Sequence, residues 1–218
     1  MLKVGGRVAT AAAADALALA VAGHEVVVVH GAGPQISAEM ARRGSEVRFV
    51  AGRRVTTGAG LDVVRESLAA VNEELCAAIG TLAVPLMGDE IGLRAVQAPA
   101  LGLVGDAVPS RPAAVEAALA LGLIPVVAPL AAGPLNVNAD EAAAALAVGL
   151  GADRILFVSD VPGVFVGGGV LSSLAAEDAD RLLGEGAFEG GIVPKLTAAV
   201  RAAREGISAE IGETKVTA

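Results

Sequence analysis

The sequence predicts an α/β protein built on a mostly parallel sheet with helices on both faces. Three observations carry this. Short apolar runs of strand length alternate with longer helical segments. One run, Val26-Val27-Val28-Val29, is apolar at every position, the pattern of a strand buried on both faces. Hydrophobic residues make up 54% of the 218 and aromatics only 2%, so a sizeable core must be packed from Ala, Val, Leu and Ile. The length suits one large domain or two small ones.

The elements follow in order. Residues 2–4 read as a strand and 10–22 as an Ala-rich helix stopped by Gly23. A strand at 25–30 precedes a helix at 34–43 with Pro34 in its first turn. Thr57 can cap the next helix, whose stripe Leu61, Val64, Leu68, Val71, Leu75 and Ile79 steps by three and four. Packing of this stripe on the sheet is the expectation. Residues 83–87 read as a strand, the Gly/Pro-rich stretch 88–112 as hairpins, 113–121 as a helix and 123–128 as a buried strand. Asn138 and Glu141 have capping-box spacing for a helix running to Leu150 and stopped by Gly151. A strand at 154–159, a hairpin at 164–171, helices at 175–183 and 194–205, and a last strand at 207–211 complete the chain.

Composition excludes several functions. The net charge is −8, with no basic stripe and few stacking aromatics, which argues against a nucleic-acid partner. The single cysteine, Cys76, rules out an intrachain disulfide and reads as a packed core thiol of a reducing compartment. Residues 117–135 carry no charge, but Gly122, Pro125, Pro129, Gly133 and Pro134 would break a membrane helix repeatedly. No signal peptide opens the chain, because Asp15 interrupts its first helix, and a cytoplasmic location with no membrane partner is expected.

Lysine usage points to chemistry. Of 16 basic residues only Lys3, Lys195 and Lys215 are lysine. Lys3 interrupts an apolar strand and precedes Gly5-Gly6; Lys195 closes Gly190-Gly191-Ile192-Val193-Pro194. Lysine offers a compact movable charge where arginine offers a planar fork, and phosphate loops use it so. One lysine beside a turn is ordinary surface chemistry; two become informative when a phosphate cradle accompanies them. Strand, glycine loop and helix start in Val29-His30-Gly31-Ala32-Gly33-Pro34 supply such a cradle, with backbone N–H groups and the positive end of a helix dipole. It is neither a dinucleotide fingerprint, since position 36 is Ile, nor a Walker loop, since no Gly-Lys-Ser/Thr follows. Asn136-Val137-Asn138-Ala139-Asp140 sets three short polar side chains before a helix, more than a cap requires. Arg54 offers a fork suited to a carboxylate, whereas Arg53 reads as solvated.

Taken together, Lys3-Val4-Gly5-Gly6, His30-Gly31-Ala32-Gly33-Pro34-Gln35-Ile36, Gly52-Arg53-Arg54-Val55-Thr56, Asn136-Val137-Asn138-Ala139-Asp140, Ser159-Asp160-Val161-Pro162-Gly163-Val164 and Gly190-Gly191-Ile192-Val193-Pro194-Lys195 resemble, in this order, the motifs of N-acetylglutamate kinases of the amino acid kinase superfamily. The resemblance spans nearly the whole chain. It implies a three-layer α/β/α sandwich forming a single domain over 1–218. Residues 1–134 would be the acyl-amino-acid-binding and dimerisation lobe, and 135–218 the nucleotide-binding lobe. ATP would phosphorylate the side-chain carboxylate of N-acetyl-L-glutamate, a step of arginine biosynthesis. Lys3 and Lys195 would contact the transferring phosphoryl and Asp140 would orient both. Ala32, Gly33, Arg54 and Asn136 would bind substrate. Gly5, Gly6, Asp160, Val161, Pro162, Gly163, Val164, Phe165, Ala187, Phe188 and Glu189 would line the nucleotide site. Mg2+ would sit on phosphates and water, with no protein metal ligands.

The chain departs from the pattern in three ways. Ala32 stands where the middle glycine of Gly-Gly-Gly is usual, which is tolerable if its φ is negative. The segment after residue 211 is short, an expected trimming of the nucleotide edge. No extension precedes Met1, from which a homodimer without arginine feedback is expected. Two alternatives stay open: a kinase for carrier-protein-linked aminoadipate or glutamate, and a non-catalytic amino-acid or nucleotide sensor of the same fold.

Overall fold

The four valines at 26–29 are all buried, and they divide between two cores. Val26 and Val28 join Leu2, Val4, Ile124 and Val126 on one face of the sheet, under Ala12, Ala13 and Ala16 of one helix and Leu75 and Ile79 of another. Val27 and Val29 join Val127, Phe157 and Ile211 on the opposite face, under the alanines and Leu146 of residues 142–147 and under Leu196 and Val200. Side chains alternate along a strand, so a sheet covered on both sides turns one valine run into two half-cores.

The computed structural model describes residues 1–5, 9–50, 52–158 and 161–218, with the backbone alone for 9–11. β1 (Leu2–Val4) leads through α1 (Ala9–Val21) to β2 (Val28–His30), then to α2 (Gly33–Arg42). A small hairpin of β3 (Phe49–Val50) and β4 (Arg53–Arg54) precedes the long α3 (Gly58–Ile79) and β5 (Ala83–Met87). Next come β6 (Ala95–Gln97), β7 (Val104–Ala107), α4 (Ala113–Ala120), β8 (Ile124–Ala128), β9 (Leu130–Ala131) and β10 (Leu135–Val137). α5 (Ala139–Leu150) and β11 (Arg154–Val158) follow, with the hairpin β12 (Phe165–Val166) and β13 (Gly169–Val170). β14 (Ser173–Ala175), α6 (Ala176–Gly184), α7 (Ile192–Arg204), β15 (Ser208–Ile211) and β16 (Thr214–Thr217) complete the order.

The main sheet has eight strands in the order β14-β16-β15-β11-β1-β2-β8-β5. Neighbours pair in parallel except β15 with β16, so β16 and β14 run against the rest. β1 lies between β11 and β2, and the chain winds outward from it in both directions. This reversal of winding opens a crevice at the carboxyl ends of β1 and its neighbours, where open α/β sheets bind ligands. α1 and α3 cover one face and α5 and α7 the other, the sandwich the sequence implies. A four-stranded accessory sheet, β6-β7-β10-β9, carries the hairpin expected within 88–112 and attaches the polar run after Leu135.

The helical stripe of α3 is buried throughout. Leu75 and Ile79 lie on the sheet, whereas Leu61, Val64, Leu68 and Val71 pack with Ile36 and Met40 of α2. The strand expected at 25–30 is shorter, though the Val27 carbonyl still accepts from Leu2 N–H at 2.8 Å. No helix among the described residues is long and apolar enough to cross a membrane. The uncharged stretch 117–135 is divided among α4, β8 and β9 and reaches the first residue of β10.

One expectation is corrected. The strand ending at Ile211 is followed by β16, which turns back through Gly212 and inserts between β15 and β14. Gly212 has φ +54°, and a Cβ there would stand 2.2 Å from the Pro162 carbonyl oxygen. Thr214 is fully buried; its hydroxyl accepts from Val164 N–H at 2.8 Å and donates to the Leu171 carbonyl at 2.6 Å. The strand at 207–211 is therefore not the last, and the short segment after it braces the loop at Val164 and Leu171. Replacing Thr214→Val keeps the shape but orphans both backbone groups, and the urea midpoint should report a loss of about 1–3 kcal/mol.

Candidate active site

Period two explains why a charge interrupts the first strand. Leu2 and Val4 face α1 and α3, which turns Lys3, paired with Val29 and Phe157, to the α5/α7 side. There its Nζ lies 2.9 Å from Oδ1 of Asp140. Lys195, in the first turns of α7, places its Nζ 3.3 Å from the same oxygen and 5.9 Å from the centroid of the Phe157 ring. Lys3 is 7% exposed, Asp140 6% and Lys195 6%. Two buried ammonium groups therefore share one carboxylate oxygen, leaving a surplus positive charge. Burial lowers the Lys195 pKa below the ordinary lysine value, Lys3 lowers it further, and Asp140 opposes both.

The carboxylate is delivered by the start of α5. Asn138 Oδ1 accepts from the backbone N–H groups of Asp140 at 2.8 Å and Glu141 at 3.2 Å, an N-cap that fixes this turn. Beside it lies a cavity of about 290 Å³ lined by Lys3, Gly31, Gly33, Arg54, Asn136 and Asp140 among others. The glycine loop forms its wall and opens α2, with Pro34 in the first turn. Ala32 is buried with φ −135°, so the methyl in place of a glycine is accommodated. A Cβ built on Gly33 meets nothing within 4 Å, leaving open space beside its backbone.

Arg54 is buried and held on several sides. Its guanidinium donates to Ser37 Oγ at 2.7 Å and the Gly33 carbonyl at 3.1 Å, and stacks on Phe49 with its carbon 4.7 Å from the ring centroid. Burial lowers its pKa. Asn136 donates to Thr56 Oγ1 at 3.0 Å, and that hydroxyl donates to the Arg54 carbonyl at 3.1 Å, tying β10 to β4. Arg53 corrects its reading as a solvated residue. The adjacent strand position turns it the other way, onto β7, where it donates to the Gly105 carbonyl at 2.9 Å and pairs with Asp106 at 2.5 Å. Glu141 stands 3.7 Å from its Nε.

The sites proposed for nucleotide are placed unevenly. Gly5 lines the cavity and donates to the Val158 carbonyl at 3.4 Å. Gly6 and Asp160 lie outside the described residues. Val161, Pro162 and Phe165 are exposed, whereas Gly163 and Val164 are buried. Both backbone polar groups of Val164 are taken, its N–H by the Thr214 hydroxyl and its carbonyl by the Leu171 N–H, which fixes this loop. Ala187 and Glu189 are exposed, and Phe188 packs against the α5/α7 core. Sequence reasoning assigned no role to Phe49, Ser37 or Thr56. Thr56 stood inside a quoted motif and could have been read; the other two become neighbours of Arg54 only through the hairpin and α2.

Comparison with known proteins bears on the same residues. The model of the amino acid kinase family matches residues 1–213. The chain belongs to the amino acid kinase family. Acetylglutamate kinase of Frankia alni is 42% identical, over 95% of this chain and 68% of that enzyme. Acetylglutamate kinase of Rubrobacter xylanophilus is 39% identical, over 97% of this chain and 87% of that enzyme. The solved structure of smu.665 from Streptococcus mutans superposes with a TM-score of 0.87 at 26% identity, over 99% of this chain and 97% of that one. This amino acid kinase thus resembles acetylglutamate kinases over most of its length.

Asp140→Asn should leave two buried ammonium groups uncompensated and lower the unfolding free energy at neutral pH by about 3–5 kcal/mol in urea titrations. A lysine with a depressed native pKa binds its proton less tightly folded than unfolded. The loss should therefore shrink as pH rises through the depressed value toward the ordinary lysine range, and a pH-independent loss would contradict this account.

Proposed function

We propose that the chain is an acetylglutamate kinase, transferring the γ-phosphoryl of ATP to the side-chain carboxylate of N-acetyl-L-glutamate to give N-acetyl-L-glutamyl 5-phosphate. The observation that carries this reading is the pair of buried ammonium groups on one Asp140 oxygen, at the edge of a cavity whose wall holds Arg54 and Asn136. A surplus buried cation calls for an anion, and the dispersed negative charge of a phosphoryl in flight meets it.

A carboxylate is already a nucleophile at neutral pH, so the site needs no general base. Its work is alignment and neutralisation of charge. Arg54 and Asn136 hold the α-carboxylate of the acylated amino acid, and the stacked, preorganised fork of Arg54 favours a free carboxylate over one masked in a carrier linkage. The backbone at Ala32 and Gly33, at the opening of α2, receives the transferring group. Lys3 approaches from the sheet and Lys195 from α7, with Asp140 keeping them apart and oriented. The nucleotide lies toward Gly5, Gly6, residues 160–165 and residues 187–189, with exposed Val161 and Phe165 offering apolar surface. In this division 1–134 supplies most of the acyl-substrate site and 135–218 most of the nucleotide site, with Asn136 and Gly5-Gly6 reaching across. Magnesium would arrive on the phosphates. In this reading the ion stays on phosphate and water, and Asp140 is engaged by both lysines.

Hydroxylamine should trap an acyl phosphate from N-acetyl-L-glutamate and ATP. Lys195→Ala should lower kcat by about 10² or more while changing substrate KM modestly; an unchanged kcat would remove Lys195 from the mechanism. The reading includes a homodimer, for which β5, at the open edge of the sheet with Pro85 exposed, offers a surface. Light scattering should give twice the chain mass, and a monomer or hexamer would refute it.

A further inference from the structure

His30 is fully buried, yet nothing in the phosphoryl-transfer scheme uses it. It follows Val26 and Val28 onto the α3 face of β2, directly before the glycine loop. There Asn72 of α3, itself 2% exposed, sets its Nδ2 3.1 Å from His30 Nε2. The amide orientation is fixed independently. Asn72 Nδ2 donates to the Val126 carbonyl at 2.9 Å, which can only accept, and Asn72 Oδ1 accepts from the Cys76 thiol at 3.4 Å. Facing a donor, Nε2 must be the bare nitrogen, so the proton sits on Nδ1. An imidazolium would set N–H against N–H. Burial agrees, lowering the His30 pKa to about 4, with the Gly31 backbone partly opposing. Nδ1 is buried and lacks a hydrogen-bond partner among the described residues.

We propose, resting on the kinase reading, that His30 is a positioning residue whose Nδ1–H captures the Gly31 carbonyl when an anion enters the loop. Nε2 is committed to Asn72, which leaves the unpartnered Nδ1 as the ring's donor, one residue before Gly31. The Gly31 C=O and the Ala32 N–H belong to one trans peptide plane and point in opposite directions. Drawing the carbonyl down onto His30 therefore aims the Ala32 N–H up into the cavity. A buried donor with no partner is costly, and ligand binding supplies the one it lacks. Asn72 acts through His30, holding α3 and the loop in one register.

Two side chains separate this role from a purely structural one. Asparagine places its amide nitrogen where Nδ1 stands, and glutamine places its carbonyl oxygen where Nε2 stands. His30→Asn thus keeps the donor toward Gly31 and loses the tie to α3; His30→Gln does the reverse. With N-acetyl-L-glutamate and ATP, H30N should hold kcat within about threefold of the parent chain, whereas H30Q should lose roughly tenfold or more in kcat with KM little changed. The opposite ranking, or equal kcat in the two, overturns the inference and leaves the kinase reading standing. Absence of turnover in the parent chain sinks the kinase reading, and this inference with it. The tautomer is read separately, by nitrogen NMR of the 15N-labelled imidazole in the unaltered chain at neutral pH. A proton on Nδ1 alone is expected; one on Nε2, or on both, overturns the inference even if neither variant folds.

Discussion

One carboxylate oxygen holds this architecture in tension. Lys3 comes from the first strand and Lys195 from a helix near the far end of the chain, and both approach Oδ1 of Asp140 with little exposure to water. A buried ion pair is a poor source of stability, and a buried cation–anion–cation group is a worse one. The fold tolerates it by surrounding it with rigid elements: the central strand of the sheet, a capped helix start and the first turns of α7. That expense is intelligible if the group exists to receive charge and not to hold the chain together.

The surrounding polar residues follow a consistent division. Strand neighbours point to opposite sides, so Arg54 goes to α2 and Arg53 to β7, and two adjacent arginines take unrelated environments. Both are tied down by backbone carbonyls, which fixes the guanidinium planes before any ligand arrives. Arg201 adds another tie, donating from α7 to the Ala107 carbonyl of β7 at 2.8 Å and so linking the element that carries Lys195 to the accessory sheet. Preorganisation of this kind is what alignment-based catalysis requires.

Much of this was legible in the residues themselves. The valine run announced a doubly covered strand, the α3 stripe its buried face, and Asn138 its helix cap. Lys3 and Lys195 were visible because they broke apolar or glycine-rich contexts in an arginine-rich chain. What escaped notice shares a physical reason. β16 alternates buried Thr214 and Val216 with exposed Lys215, a pattern too short and polar to stand out from a tail. Arg53 looked solvated because its partners, Asp106 and Glu141, are distant in sequence. Asn72 could have been found: it falls on the face of α3 defined by Leu68 and Leu75, where a polar side chain must have a partner.

The placement of β16 also bears on how the polypeptide emerges during synthesis. β14 takes its place in the main sheet only through β16, which is made after α6 and α7. Until that strand leaves the ribosome, β14 has no partner strand, and the turn around Pro162 lacks the hydroxyl and the amide that hold it. The β14 edge of the sheet is then completed last, while β1, β2, β8 and β5 are already free to pack, so that side of the sheet can mature first on the ribosome.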